Sequence, residues 1–189
     1  MQLIPAFGIG IWNAWIFTAI FLIVPLLGWV INKEAYKKLG TLPDMKLSKR
    51  EKVIGNIANI ITAIAFLYAI FLPFKLGTAW FYIGLFIFLL AVALLVTAVI
   101  SVIATPIDSP VTEGIYRYSR HPLYFSCLLA LIAIGIATAS WIILLAGILF
   151  FILVNFITGS EERYCKEKYG DTYIKYLKKV PRWIGIPKS

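Results

Sequence analysis

Histidine and cysteine are scarce in this 189-residue chain: one histidine, His121, and two cysteines, Cys127 and Cys165. One imidazole and two remote thiols cannot assemble an ordinary tetrahedral zinc set, so no metal is expected. Cys127 falls in an apolar run and Cys165 in a charged stretch, so no disulfide between them is expected. The glycine patterns of phosphate loops and dinucleotide folds are missing, as is the nucleophile elbow of the α/β-hydrolases. Acidic residues are few, 9 against 18 lysines and arginines, which leaves a net charge of +9. Charge is almost absent from several long stretches, and that absence sets the fold class.

Hydrophobic residues make up 61% of the chain, where soluble domains run nearer 45–50%. They lie in continuous blocks, roughly 18–25 residues in most cases, and each such block can cross about 30 Å of hydrocarbon as a helix. Five are expected: Ile9 to Ile31, Val53 to Phe74, Ala79 to Ala104, Pro122 to Ile136 and Ser140 to Thr158. Only Ala137–Ala139 separate the last two, which therefore read as a tight helical hairpin. The fourth block is short, so it starts below the membrane surface or is tucked against its neighbours. The blocks do not alternate as barrel strands do. The expectation is an all-α integral membrane protein of about five transmembrane helices and a C-terminal amphipathic helix at the cytoplasmic interface. Residues 1–104 hold three helices and a basic first loop. Residues 105–189 hold the chemistry within the same single domain. No basic segment precedes the first apolar run, so that run reads as a retained helix rather than a signal peptide.

The basic residues are distributed by loop. Lys33, Lys37, Lys38, Lys46, Lys49, Arg50 and Lys52 fill the first, Arg117 and Arg120 lie in the third, and eight follow the last block. The second loop has only Lys75 and the hairpin turn has none. Basic residues in alternate loops place the N-terminus outside and the C-terminus in the cytoplasm. Attraction to anionic membrane lipid accounts for the basicity. Nucleic acid is not an expected partner, because no aromatics interleave with the basic residues to stack on bases.

Local signals refine this picture. Ser48 and Glu51 have capping-box spacing ahead of the second block. Leu42-Pro43-Asp44 signals a turn. Gly170 suits a helix stop, and beyond it Tyr173, Tyr176, Leu177 and Val180 share one face of a last helix, Thr172 to Val180. Such a helix would lie in the interface or lid the preceding pocket.

The hairpin carries the functional expectation. His121 lies in Arg120-His121-Pro122 at the mouth of the fourth block, with Pro122 suited to a first helical turn. Glu161-Glu162 follow the fifth block. Folding the hairpin returns both groups to the same side, with Tyr116, Tyr118 and Tyr124 nearby. Ionisable residues at a membrane margin are costly, which makes their convergence a site hypothesis.

The stretch Gly114-Ile115-Tyr116 through Arg120-His121-Pro122-Leu123-Tyr124, then Glu161-Glu162, then Tyr169-Gly170-Asp171-Thr172-Tyr173 through Tyr176 and Val180-Pro181-Arg182 resembles the isoprenylcysteine carboxyl methyltransferase and phospholipid methyltransferase superfamily. The resemblance covers about residues 108–183. It implies an S-adenosyl-L-methionine-dependent membrane enzyme whose active site faces the cytoplasm and whose lipophilic acceptor arrives from the bilayer. By position it implies Val111, Tyr116, His121, Pro122, Tyr124 and Glu161 as cofactor-binding residues. Arg120 and Glu162 are the candidate catalytic residues, the first for the cofactor carboxylate and the second, or a tyrosine in its place, as a base toward an amine. Asp108 stands where the family's carboxyl methyltransferases often carry histidine, and Ile157 where they carry a substrate-binding arginine. Isoprenylcysteine-type carboxyl O-methylation is the expected reaction. Its alternatives are N-methylation of a phospholipid amine or methylation of a small lipophilic thiol or acid. A non-enzymatic lipid-binding protein and a membrane reductase are the readings of another class.

Overall fold

The computed structural model describes residues 7–35 and 47–188. The Leu42-Pro43-Asp44 turn and part of the basic first loop lie outside the described residues. Among the described residues the apolar helices are α1 (Trp15–Ile31), α2 (Lys49–Ala69), α3 (Ala79–Ala104), α4 (Pro122–Ala137) and α5 (Trp141–Lys179), with a 3-10 turn at Gly114–Arg117 before α4. Among the described residues no strand occurs, and Asn13 and Pro73 form an isolated bridge. Helices α2, α3 and α5 are long and apolar enough to cross a membrane. Helices α1 and α4, of 17 and 16 residues, are shorter.

Local chemistry explains the boundaries. Ser48 caps α2 by accepting from the Glu51 N–H, while the Glu51 side chain accepts from the Ser48 N–H, the reciprocal arrangement its spacing predicts. Helix α1 begins six residues later than the apolar run that contains it. Residues 8–14 instead pair with the chain after α2: the Ala14 N–H donates to Leu72 O at 2.9 Å and the Phe74 N–H to Trp12 O at 3.0 Å. The Asn13 side chain donates to Gly8 O and Ile70 O. These bonds satisfy backbone groups that would otherwise be orphaned in an apolar setting.

The short fourth helix is tucked among its neighbours. Ala130, Leu131, Ala133, Ile134 and Ala137 of α4 have no accessible surface. Small residues allow the approach: a Cβ built on Gly84 of α3 would lie 2.7 Å from Ala133 O and 2.6 Å from the Ala137 Cβ. Outward-facing Ile20, Phe86, Leu90, Ile148 and Phe156 remain exposed, as expected of side chains that meet lipid. Helix α5 continues about twenty residues past its apolar half and breaks at Gly170 (φ 55°, ψ −135°). A positive φ there suits glycine.

Candidate active site

The chain between α3 and α4 is built to present Arg120 and His121. Gly114 has φ 64° and packs so closely on Ser101 that a Cβ would collide with its Oγ. The 3-10 turn follows and buries Tyr116. The His121 N–H then donates to Ser119 Oγ at 3.2 Å, and Pro122 occupies the first turn of α4. The tail after α5 returns across this segment: the Arg120 N–H donates to Pro181 O at 3.1 Å and the Gly185 N–H to Tyr118 O at 3.0 Å.

Helix α5 carries both carboxylates to this segment. His121 Nδ1 lies 3.4 Å from Glu161 Oε2, and Nε2 lies 3.2 Å from Glu162 Oε1. The Tyr124 hydroxyl donates to Glu161 Oε1. Glu162 is buried and meets two guanidiniums: Arg120 Nη1 at 3.0 Å, and Arg182 through Nε at 3.1 Å and Nη2 at 2.9 Å. His121 is itself 7% exposed. Burial disfavours its imidazolium, but the hydrogen bonds and charges of Glu161 and Glu162 outweigh that and hold its pKa above the ordinary 6.5.

A cavity of about 320 Å³ opens beside these groups, at the lower end of the ~300–1,000 Å³ typical of small-molecule sites. Of the residues expected from sequence, Val111, Tyr116, Arg120, His121, Tyr124 and Glu161 line it. Pro122 and Glu162 do not: Pro122 is packed into the start of α4, and Glu162 lies where Arg120, Arg182 and His121 occupy its oxygens. Tyr173 and Tyr176, on the helical stretch after Gly170, fold back to close one wall, and the Tyr176 hydroxyl donates to Tyr116 O at 2.8 Å. Of the two placements its apolar face allows, in the interface or over the pocket, this stretch packs against the cavity. Ser109, Pro110, Tyr164, Cys165, Lys168 and Tyr169 also line the cavity and were not anticipated from sequence. The Lys168 ammonium lies 5.7 Å from the ring centre of Tyr164 and 5.4 Å from that of Tyr169. Arg182 was visible only as part of a motif, with nothing in its spacing to pair it with Glu162. Both cysteines are free. Among the described residues no cluster of histidine, cysteine, aspartate and glutamate could hold a metal.

Residues 76–172, just over half of the chain and all of α3, the 3-10 turn, α4 and the first carboxylate-bearing part of α5, match the phospholipid methyltransferase family. The chain belongs to that family. A curated Haemophilus influenzae protein, described only as an uncharacterized protein, is 36% identical over 63 residues, which is 33% of this chain and 100% of that protein. Phospholipid methyltransferase membership assigns the chain to membrane methyltransferases that act on lipids, a class that uses S-adenosylmethionine in general. The matched segment contains every site residue expected from sequence and stops before Arg182.

Proposed function

We propose that the His121 cavity binds S-adenosylmethionine and that the protein transfers its methyl group to the amine of a phospholipid. The observation that carries the cofactor reading is Arg120. This guanidinium lines the cavity, and its buried Nε has no hydrogen-bond partner. A guanidinium at a cavity wall suits an anionic ligand group, with a carboxylate its natural match, and an unpartnered buried donor marks an arginine whose hydrogen-bonding capacity the protein leaves partly unused.

When bound, S-adenosylmethionine supplies a sulfonium methyl to be displaced in line by the acceptor. Arg120 would hold the cofactor's carboxylate, with the charge of protonated His121 beside it, and Glu161 its ammonium or ribose. Val111 would pass its backbone alongside, and Pro122 would set the start of α4 so that His121 faces inward. Tyr116, Tyr124, Tyr173 and Tyr176 line the cavity with aromatic faces that favour a sulfonium by cation–π attraction. Holding donor and acceptor in line can lower the barrier by roughly 7–11 kcal/mol. An amine acceptor must also give up a proton. Glu162 does not line the cavity and its oxygens are taken by Arg120, Arg182 and His121, so the Tyr124–Glu161 pair is the better proton acceptor and Glu162 orients His121.

The phospholipid amine is preferred over a prenylcysteine carboxylate because the position suited to a carboxylate clamp is Ile157, apolar and buried. Lys168 on the cavity wall favours a second reading, in which that ammonium receives an acceptor carboxylate. The loop charges support an N-terminus outside and a site facing the cytoplasm.

The test uses purified protein in lipid nanodiscs with radiolabelled S-adenosylmethionine. Micromolar binding is expected, weakened at least about tenfold in the folded variants H121A and E161Q, a loss of about 1.4 kcal/mol. No binding by folded wild type at millimolar cofactor refutes the reading. Parallel transfer assays with phosphatidylethanolamine and a prenylcysteine analogue decide between the acceptors.

A further inference from the structure

The segment after α5 returns to the site. Pro181 and Gly185 tie it to Arg120 and Tyr118 by backbone hydrogen bonds. The Trp183 ring packs on Phe151 at 4.7 Å and lies 6.2 Å from His121, and its Nε1 donates to Asn155 Oδ1 at 3.2 Å. Between these anchors, Arg182 forks onto both oxygens of Glu162.

We infer that Arg182 is a positioning residue: carried back over the site by the tail, it clamps Glu162 against His121, shares that carboxylate's charge, and so governs the protonation of the imidazole. Glu162 Oε1 receives Arg120 Nη1, Arg182 Nε and His121 Nε2 together. Two permanent cations thus compete with the imidazolium for one carboxylate. Glu161 and the Tyr124 hydroxyl face the other side of the ring. Tyr116 and Cys165 share the cavity. Arg182 lies ten residues beyond the family-matched segment. If Arg182 is removed, the buried Glu162 keeps its charge with one cation fewer, and the proton on His121 is held more tightly.

His121 is the chain's only histidine, so ¹³C-histidine labelling of the untagged full chain in nanodiscs gives one imidazole signal to titrate without assignment. In R182Q the midpoint should rise by about one pH unit. R182K, which keeps the charge without the fork, should stay within a few tenths of wild type. E162Q should lower the midpoint, and adding R182Q to E162Q should change it little further. A folded R182Q whose midpoint is unchanged or lower overturns the inference, as does an R182K midpoint displaced as far as that of R182Q. R182M replaces R182Q if the glutamine variant does not fold. A role limited to anchoring the tail would lower the melting temperature and leave the midpoint in place.

The consequence for catalysis rests on the cofactor reading above: in R182Q, the pH at which S-adenosylmethionine affinity falls should move up with the midpoint. Wild type that binds no cofactor would refute that reading, while the titration, made without cofactor, would still decide the role of Arg182.

Discussion

His121 is buried between two carboxylates that favour its charged form, and this links the site to stability. Its pKa in the folded protein lies above the ordinary 6.5. The folded state therefore binds this proton more tightly than the unfolded chain. The resulting stabilisation is fully present below about pH 6.5 and is lost as pH rises through the folded-state value. H121Q should flatten the fall in melting temperature between about pH 6 and pH 9. Melts of both proteins across that range check this, and parallel falls would remove His121 as the cause. At this scale the sequence disclosed the groups that occur in pairs of runs: the lone histidine before one apolar block, and the glutamates after the next. It did not disclose the roles of Arg182 or Lys168: Arg182 stood only in the Val180-Pro181-Arg182 motif and Lys168 on a charged helical stretch, and nothing local pairs the first with Glu162 or turns the second to the cavity. The bond from Ser160 Oγ to Glu51 Oε1, 2.5 Å long, was equally hidden. Those two residues lie 109 positions apart on helices whose pairing no local pattern encodes.

Among the elements, the α4–α5 hairpin was the most legible, because three residues cannot carry the chain across a membrane. Helix α1 was less so, since the apolar run from Ile9 carries no signal that its first six residues stay outside the helix. Only the pairing of Asn13 with the chain after α2 decided its start. The α3–α4 contact was not legible either: Gly84 lies in a run of large apolar residues, and its role depends on Ala133 and Ala137 arriving opposite. Gly84→Ala should cost about 1–3 kcal/mol by forcing the helices apart. Gly159→Ala, on α5 with nothing within 4 Å of the new Cβ, should stabilise by up to about 1 kcal/mol. Reversible unfolding in mixed micelles measures both, and equal effects would mean that α3 and α4 do not pack this closely.

For the whole molecule, the proposed orientation can be tested by labelling. In a chain lacking Cys127 and Cys165, Lys75→Cys should react with a membrane-impermeant maleimide on intact cells. Lys178→Cys should react only after permeabilisation. The reverse pattern would place the site on the other side. A mechanical consequence follows from the continuity of α5. Between Trp141 and Tyr169 this helix has no break, so its lipid-embedded end and the end that bears Glu161 move as one rod. Glu161 is about 30 Å along that rod from Trp141, at about 1.5 Å per residue. Acyl-chain length, which sets how deep the rod sits or how far it leans, thereby sets the height of the carboxylates relative to the phosphate layer. Lipid would then be to this protein both a reactant and a ruler.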